Sequence, residues 1–167
     1  MTSTEERLAA LEAAVARLTE RFESEPAAAE GPSGYGGDFW LLDELSRRRP
    51  QGGLIYAGQL DLPTGPVRWQ MGVDPAELLE SDWHETASAL AALAHPVRLR
   101  LVQLVLTGVE TTAELAQDEE LGTTGQLYHH LRQLVAAGWL VSAGRGRYTV
   151  PPHRVVPVLL VVAAAGR

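Results

Sequence analysis

The chain has 167 residues, 46% of them apolar, which suits one folded domain with appendages and excludes a disordered protein. It has no cysteine, which excludes disulfides, thiolate metal sites and thiol redox chemistry, and its 14 basic residues are all arginine, as in proteins from GC-rich bacterial genomes. A net charge of −7 excludes a generally basic nucleic-acid binder, but the acids crowd one half: residues 1–83 carry seven Arg against fifteen acids, and residues 84–167 seven against six.

Leu8, Leu11, Val15, Leu18 and Phe22 recur at alternating spacings of three and four, a coiled-coil-like helix over residues 1–24. With 8, 15 and 22 at a positions, Arg7 and Glu12 take g and e and can bridge two parallel strands. These apolar residues are expected to drive self-association. The alternative is an amphipathic helix that folds back on its own domain. Residues 25–37, rich in Pro, Gly, Ala and Ser, read as a flexible linker.

Residues 38–80 are predicted to hold a helix and a β-hairpin. Asp38 should cap a helix over 39–49 that buries Phe39, Leu42 and Leu45 and stops at Pro50. Arg47, Arg48 and Arg49 would favour the negative end of its dipole and stay solvated. From Leu54 to Val73 the apolar period becomes two. Pairing Leu62 with Val67, Leu60 with Trp69 and Tyr56 with Val73 across a Pro-Thr-Gly-Pro turn gives one continuous apolar face. That face must cover the domain that follows, the same hairpin of a second subunit or a small ligand; no convergent polar cluster favours the ligand, so its expected role is packing.

The rest of the 38–80 segment and residues 81–167 read as helices and a small hairpin. Asp74-Pro75 opens a helical turn to Glu80, and Asp82 with Glu85 opens the next helix. Leu90, Leu93, Val97, Leu101, Leu104 and Val105 follow at helical spacing, with Pro96 dividing the run after His95 and Gly108 closing it. Thr111 and Glu114 stand in capping-box relation at the head of a short helix over 111–121, with Leu115 and Leu121 inward. Gly122 leads into a second helix, where Thr123 and Gln126 form another capping box and Gly138 supplies the stop. Along it Leu127, His130, Leu131 and Leu134 fall on one stripe, and Gly125, Tyr128, His129, Arg132 and Ala136 on the other side. Two short helices joined by a glycine-containing turn are a helix-turn-helix. Strands over 139–142 and 147–150 then make a small wing, and Pro151-Pro152 opens a last apolar helix. The expected fold is mainly α with small β: a winged helix-turn-helix domain preceded by a β-hairpin and an N-terminal coiled-coil-like helix.

The outward face of the second helix suits major-groove reading. Gln126, Tyr128 and His129 can exchange hydrogen bonds with base edges, Arg132 can pair with guanine or phosphate, and Gly125 and Ala136 permit close approach. The amides at Thr123 and Thr124 suit a phosphate, and Arg145 and Arg147 of the wing suit phosphate or minor-groove contact.

Leu-Ala-His-Pro-Val-Arg-Leu-Arg-Leu-Val (93–102), Thr-Ala-Glu-Leu-Ala (112–116), Gln-Leu-Tyr-His-His-Leu-Arg-Gln-Leu (126–134) and Ala-Gly-Trp-Leu-Val (137–141), in this order, resemble the ArsR/SmtB winged helix-turn-helix repressors over about residues 84–165. The resemblance implies a dimer built by the terminal helices, here through Val155, Leu159 and Val162. It implies Thr124, Gln126, Tyr128 and His129 as base-facing residues and Arg132 as a backbone contact.

Two departures stand out. The thiolates that family metal sensors use are absent, and the last helix offers only His153, so neither a metal nor another cofactor is expected. Asp118-Glu119-Glu120 also stands directly before the turn that would approach DNA, where carboxylates oppose binding. The expected function is a cytoplasmic, homodimeric, sequence-specific regulator of transcription, a repressor by analogy, with double-stranded DNA and itself as partners and no membrane. Its longest apolar run, 155–165, is too short to cross a bilayer, and no secretory pattern precedes the first helix. The alternative is a winged-helix module that binds protein and no longer reads DNA. No spacing of nucleophile, base or phosphate loop points to an enzyme.

Overall fold

A computed structural model describes residues 39–166 together with Glu12, Ala13, Val15 and Ala16, which are helical. Leu8, Leu11, Leu18 and Phe22 of the expected coiled-coil seam, the linker over 25–37 and Asp38 lie outside the described residues. The chain divides into two compact units, Met1–Glu44 and Leu45–Arg167. Helix α1, Trp40–Arg48, runs through the boundary and buries none of its residues. Leu42, expected inside, is exposed. Steps of three residues drift by about 60° each on a helix, so Phe39, Leu42 and Leu45 do not share a line. The half-buried face is instead Leu41, Glu44 and Leu45.

The second unit is mainly helical with two separate two-stranded antiparallel sheets. Strands β1 (Leu54–Leu62) and β2 (Gly65–Val73) form the first, joined by Pro63 and Thr64 alone. Leu62 pairs with Gly65, Leu60 with Val67, Tyr56 with Met71 and Leu54 with Val73, two residues away from the expected register. Gly65, at φ 123°, takes a conformation closed to other residues and allows the shorter turn. A slip of two leaves every side chain on its original face, which is why alternation alone does not distinguish the registers.

Five elements follow: α2 (Pro75–Glu80), α3 (Trp83–Leu93), α4 (Pro96–Leu106), the single-turn α5 (Thr112–Leu115) and a 3-10 turn (Glu119–Leu121). Their caps are local. Asp74 accepts from the Ala76 amide, Asp82 from the His84 amide, and His95 Nδ1 from the Val97 amide. The axes of α3 and α4 differ by 79° where Pro96 breaks the run. The single helix expected over 111–121 is in two pieces, because the Asp118 carboxylate accepts from the Glu120 amide at 3.0 Å and starts a new turn.

Helix α6 (Thr124–Ala136), strands β3 (Val141–Gly144) and β4 (Arg147–Thr149), and α7 (Pro152–Ala165) complete the unit. Trp139 and Leu140, expected to begin a strand, are buried anchors ahead of it, with the Trp139 indole N–H donating to the Ala89 carbonyl at 2.8 Å. One core joins Leu101 and Val105 of α4, Leu115, Leu121, three leucines of α6 and Val158 of α7. Val155, expected at a subunit contact, is 3% exposed and belongs to that internal core. It falls on the same side of α7 as Val158, the side that covers the chain's own interior. Leu159 is half-buried and Val162 is exposed. Among the described residues no single helix is long and apolar enough to cross a membrane.

Leu60, Leu62 and Val67 of the first hairpin rest on this core. At Gly58 the strand approaches α7 so closely that a Cβ would stand 2.7 Å from a Val156 methyl, and Val156 is itself buried and β-branched. Gly58→Ala should therefore lower stability by about 1–3 kcal/mol, as overpacking does. Adding Val156→Ala to it should restore part of the loss. Urea unfolding midpoints would show this; a Gly58→Ala midpoint equal to the parent's would mean that the strand and α7 are not in contact in solution.

Candidate nucleic-acid interface

Helix α6 is built by its two faces and its two ends. Leu127, Leu131 and Leu134 are buried against α4 and its neighbours, and each contributes about 1.5–3 kcal/mol of burial. At the first turn the Thr123 hydroxyl oxygen accepts from the Gln126 amide at 3.4 Å, while Gln126 Oε1 accepts from the Thr123 amide at 2.8 Å. Gln126 thus spends its carbonyl oxygen on the cap and keeps only its amide hydrogens for an outside partner. Leu127 N–H bonds to the Thr123 carbonyl, so the first-turn amides left open are those of Thr124 and Gly125.

The opposite face is open. Nothing lies within 4 Å of a Cβ built on Gly125. Tyr128 is 43% exposed, His129 and Arg132 are also exposed, and neither the Tyr128 hydroxyl nor the Arg132 guanidinium has a polar partner among the described residues. His129 touches His130 edge-on, with ring centroids 5.6 Å apart. His130 turns inward and stacks on His95 at 4.7 Å, its Nδ1 buried without a hydrogen bond. Burial first, and then the positive charge of His95, Arg98 and His129, hold its pKa below the ordinary value near 6.5.

The second hairpin stands beside α5. The Tyr148 amide donates to the Glu110 carbonyl at 2.8 Å, and the Thr112 amide to the Gly146 carbonyl at 2.9 Å, which fixes β4 and the turn before it against the start of α5. Arg147, expected to meet phosphate, is instead ion-paired with Glu110. Its charge is spent on the fold, because the strand pairing sets the guanidinium above that carboxylate. Glu114 stays on the cap of α5, where the Thr111 hydroxyl and then its amide hold the carboxyl below its usual range, with some help from Arg147. At the tip, Arg145 and Gly146 both have positive φ, 49° and 72°, the two-residue type I′ turn that favours Asn-Gly. An arginine in this conformation costs about 1–2 kcal/mol. Its side chain is exposed.

The three carboxylates before the turn are accounted for in part by Arg100. It donates to Asp118 Oδ2 through Nε at 3.1 Å and Nη2 at 2.9 Å, and stands 3.6 Å from Glu120. Arg98 was equally out of reach of local pattern reading. It bonds the Ala92 carbonyl, the Ala91 carbonyl at 2.9 Å and Gln133 Oε1 at 2.6 Å, joining α3, α4 and α6. Among the described residues no group of three or more His, Asp or Glu side chains could hold a metal ion.

No known protein-family profile matches the chain, and no curated protein matches it. Among solved structures, the crystal structure of M. tuberculosis Rv0081 is similar over 56% of this chain and 90% of that one, at 24% identity and a TM-score of 0.40.

The lowered pKa of His130 fixes the sign of one pH effect. The unfolded chain protonates this residue near its ordinary pKa while the folded chain resists, so its stabilising contribution is complete above about pH 6.5 and is lost as pH falls toward the depressed folded value. In His130→Phe, which keeps a ring against His95, stability should fall less between pH 7 and 5.5 than in the parent. Thermal midpoints across that range decide it, and parallel curves would remove His130 from the account.

Proposed function

We propose that the chain is a cytoplasmic, homodimeric regulator of transcription that reads duplex DNA, in the manner of the ArsR/SmtB repressors its sequence resembles. On this reading α5, the 3-10 turn and α6 form a helix-turn-helix, α6 enters the major groove, and the β3–β4 hairpin is a wing on the flanking backbone. The observation that carries the reading is the division of α6: three leucines hold one face in the core, while Tyr128 and Arg132 on the other have no polar partner among the described residues. Tyr128 and His129 read base edges, with the Gln126 amide hydrogens beside them. Arg132 and the open amides of Thr124 and Gly125 meet phosphate. Arg145 supplies the wing contact, and a cation kept at a conformationally costly tip fits a role outside the fold. Arg147 ties the turn end of β4 to Glu110. Repression, rather than activation, rests on analogy alone.

A protein-binding module is the second reading. It draws on the large apolar side chains of Leu79 in α2 and Trp83 in α3, which are 71% and 61% exposed.

Selection of bound sites from random duplexes, followed by sequencing, separates the two. The full chain should enrich a two-part site with half-sites related by symmetry. Tyr128→Ala or His129→Ala should lower the preference for that site by about 1–3 kcal/mol per lost base contact. Arg145→Asn should keep or raise the melting temperature, weaken binding to every sequence, and reduce the slope of log affinity against log salt by about 1. No enriched site at low salt would favour the protein-binding reading.

A further inference from the structure

A groove of about 590 Å³ opens between β1, α4 and α7, within the size range of pockets that take small organic molecules. Leu60 and Leu62 of β1, Leu99 and Leu106 of α4, and Leu159 and Val162 of α7 line it. Its polar edge consists of Arg100, Gln103 and Thr107. Arg100 is the only charge in the lining, and it is already held by Asp118 at 2.9 Å with Glu120 at 3.6 Å. Arg100 is thus already paired, so an anionic ligand meets no free cation in the lining. A cationic ligand would find no carboxylate or aromatic face in the lining itself.

Gln103 is the informative residue. A guanidinium can only donate, so the bond of 3.0 Å from Arg100 Nη1 fixes the Gln103 carboxamide with its oxygen toward the arginine. The Gln103 amide hydrogens are left with no protein partner among the described residues. Thr107 donates its hydroxyl hydrogen to the Gln103 and Leu104 carbonyls, at 3.1 and 2.9 Å, and offers only its oxygen. The groove is therefore apolar apart from this edge, its one cation is already paired, and the edge carries an oriented amide without a protein partner among the described residues.

We infer that this groove binds a neutral, largely apolar organic molecule whose carbonyl or ether oxygen accepts from the Gln103 amide. The inference goes beyond DNA reading, and occupancy is measured with no DNA present; it assigns Leu159 and Val162 to the groove and not to the dimer contact that the resemblance implies for them. The probes are three naphthalene dyes titrated into the full chain by fluorescence. Prodan is neutral with a ketone, N-phenyl-1-naphthylamine is neutral without a carbonyl, and 1-anilinonaphthalene-8-sulfonate is anionic.

Prodan should bind saturably, one per chain, and more tightly than the sulfonate. Leu99→Trp and Val162→Trp each enlarge an exposed side chain into the groove without disturbing the buried core. Each should weaken prodan by about tenfold or more, with the melting temperature confirming a folded chain. Gln103→Leu should weaken prodan by roughly three- to tenfold, the worth of one hydrogen bond, and leave the carbonyl-free dye within about twofold. Prodan binding that never saturates, that survives both tryptophan variants, or that is weaker than sulfonate binding would overturn the inference. So would prodan binding that disappears as protein concentration rises into a self-associating range, which would assign the groove to a second copy of the chain.

Discussion

Three helices meet at the guanidinium of Arg98. Pro96 ends α3 by making its continuation impossible, and a helix that stops leaves its last carbonyls without intrahelical donors. Arg98, from the first turn of the next helix, reaches back to the Ala92 carbonyl and to the Ala91 carbonyl, which the Ala94 amide also bonds, and spends a further N–H on Gln133 of α6. The sharp change of direction between α3 and α4 and the seating of α6 are thus one arrangement. The leucine stripe supplies the adhesion of α6, and Arg98 adds a polar tie to it at Gln133.

The same economy governs charge. A chain with more acids than arginines presents cations at chosen places because others are neutralised in pairs. Arg100 takes up Asp118 and stands by Glu120, and Arg147 takes up Glu110. Arg132 and Arg145 are left pointing away from these pairs, on α6 and on the tip of the second hairpin. The acids before α6 are then parts of the scaffold, and the net charge of the chain says little about the local field there.

Much of α6 was legible in the sequence, because what forms it is local: a cap and its partner three residues on, a stripe with helical spacing, a glycine past the end. The inward turn of His130 and the outward turn of His129 follow from the same periodicity. The register of the first hairpin was not legible, since a two-residue slip preserves the alternation and only the tight Pro63-Thr64 turn selects between the alternatives. The pairing of Arg147 with Glu110 was hidden for a different reason. The partners lie 37 residues apart and meet only because β4 runs beside the segment before α5. The break at Asp118 was likewise a competition, between a helical backbone and a side chain whose second oxygen is held by an arginine 18 positions earlier. Val155 reads as a surface valine on an apolar helix until the core beneath it is known.

The double cap of α6 has a consequence for solvent exchange. By closing on each other, Thr123 and Gln126 shield their own amide hydrogens at the very start of the helix, where fraying ordinarily makes all of the first amides quick to exchange. Thr124 and Gly125, enclosed between protected neighbours, have no acceptor for their amides among the described residues and are expected to exchange quickly. The end of α6 therefore carries two adjacent fast-exchanging hydrogens on a rigid support, and any anion that settles there registers as the slowing of these two alone.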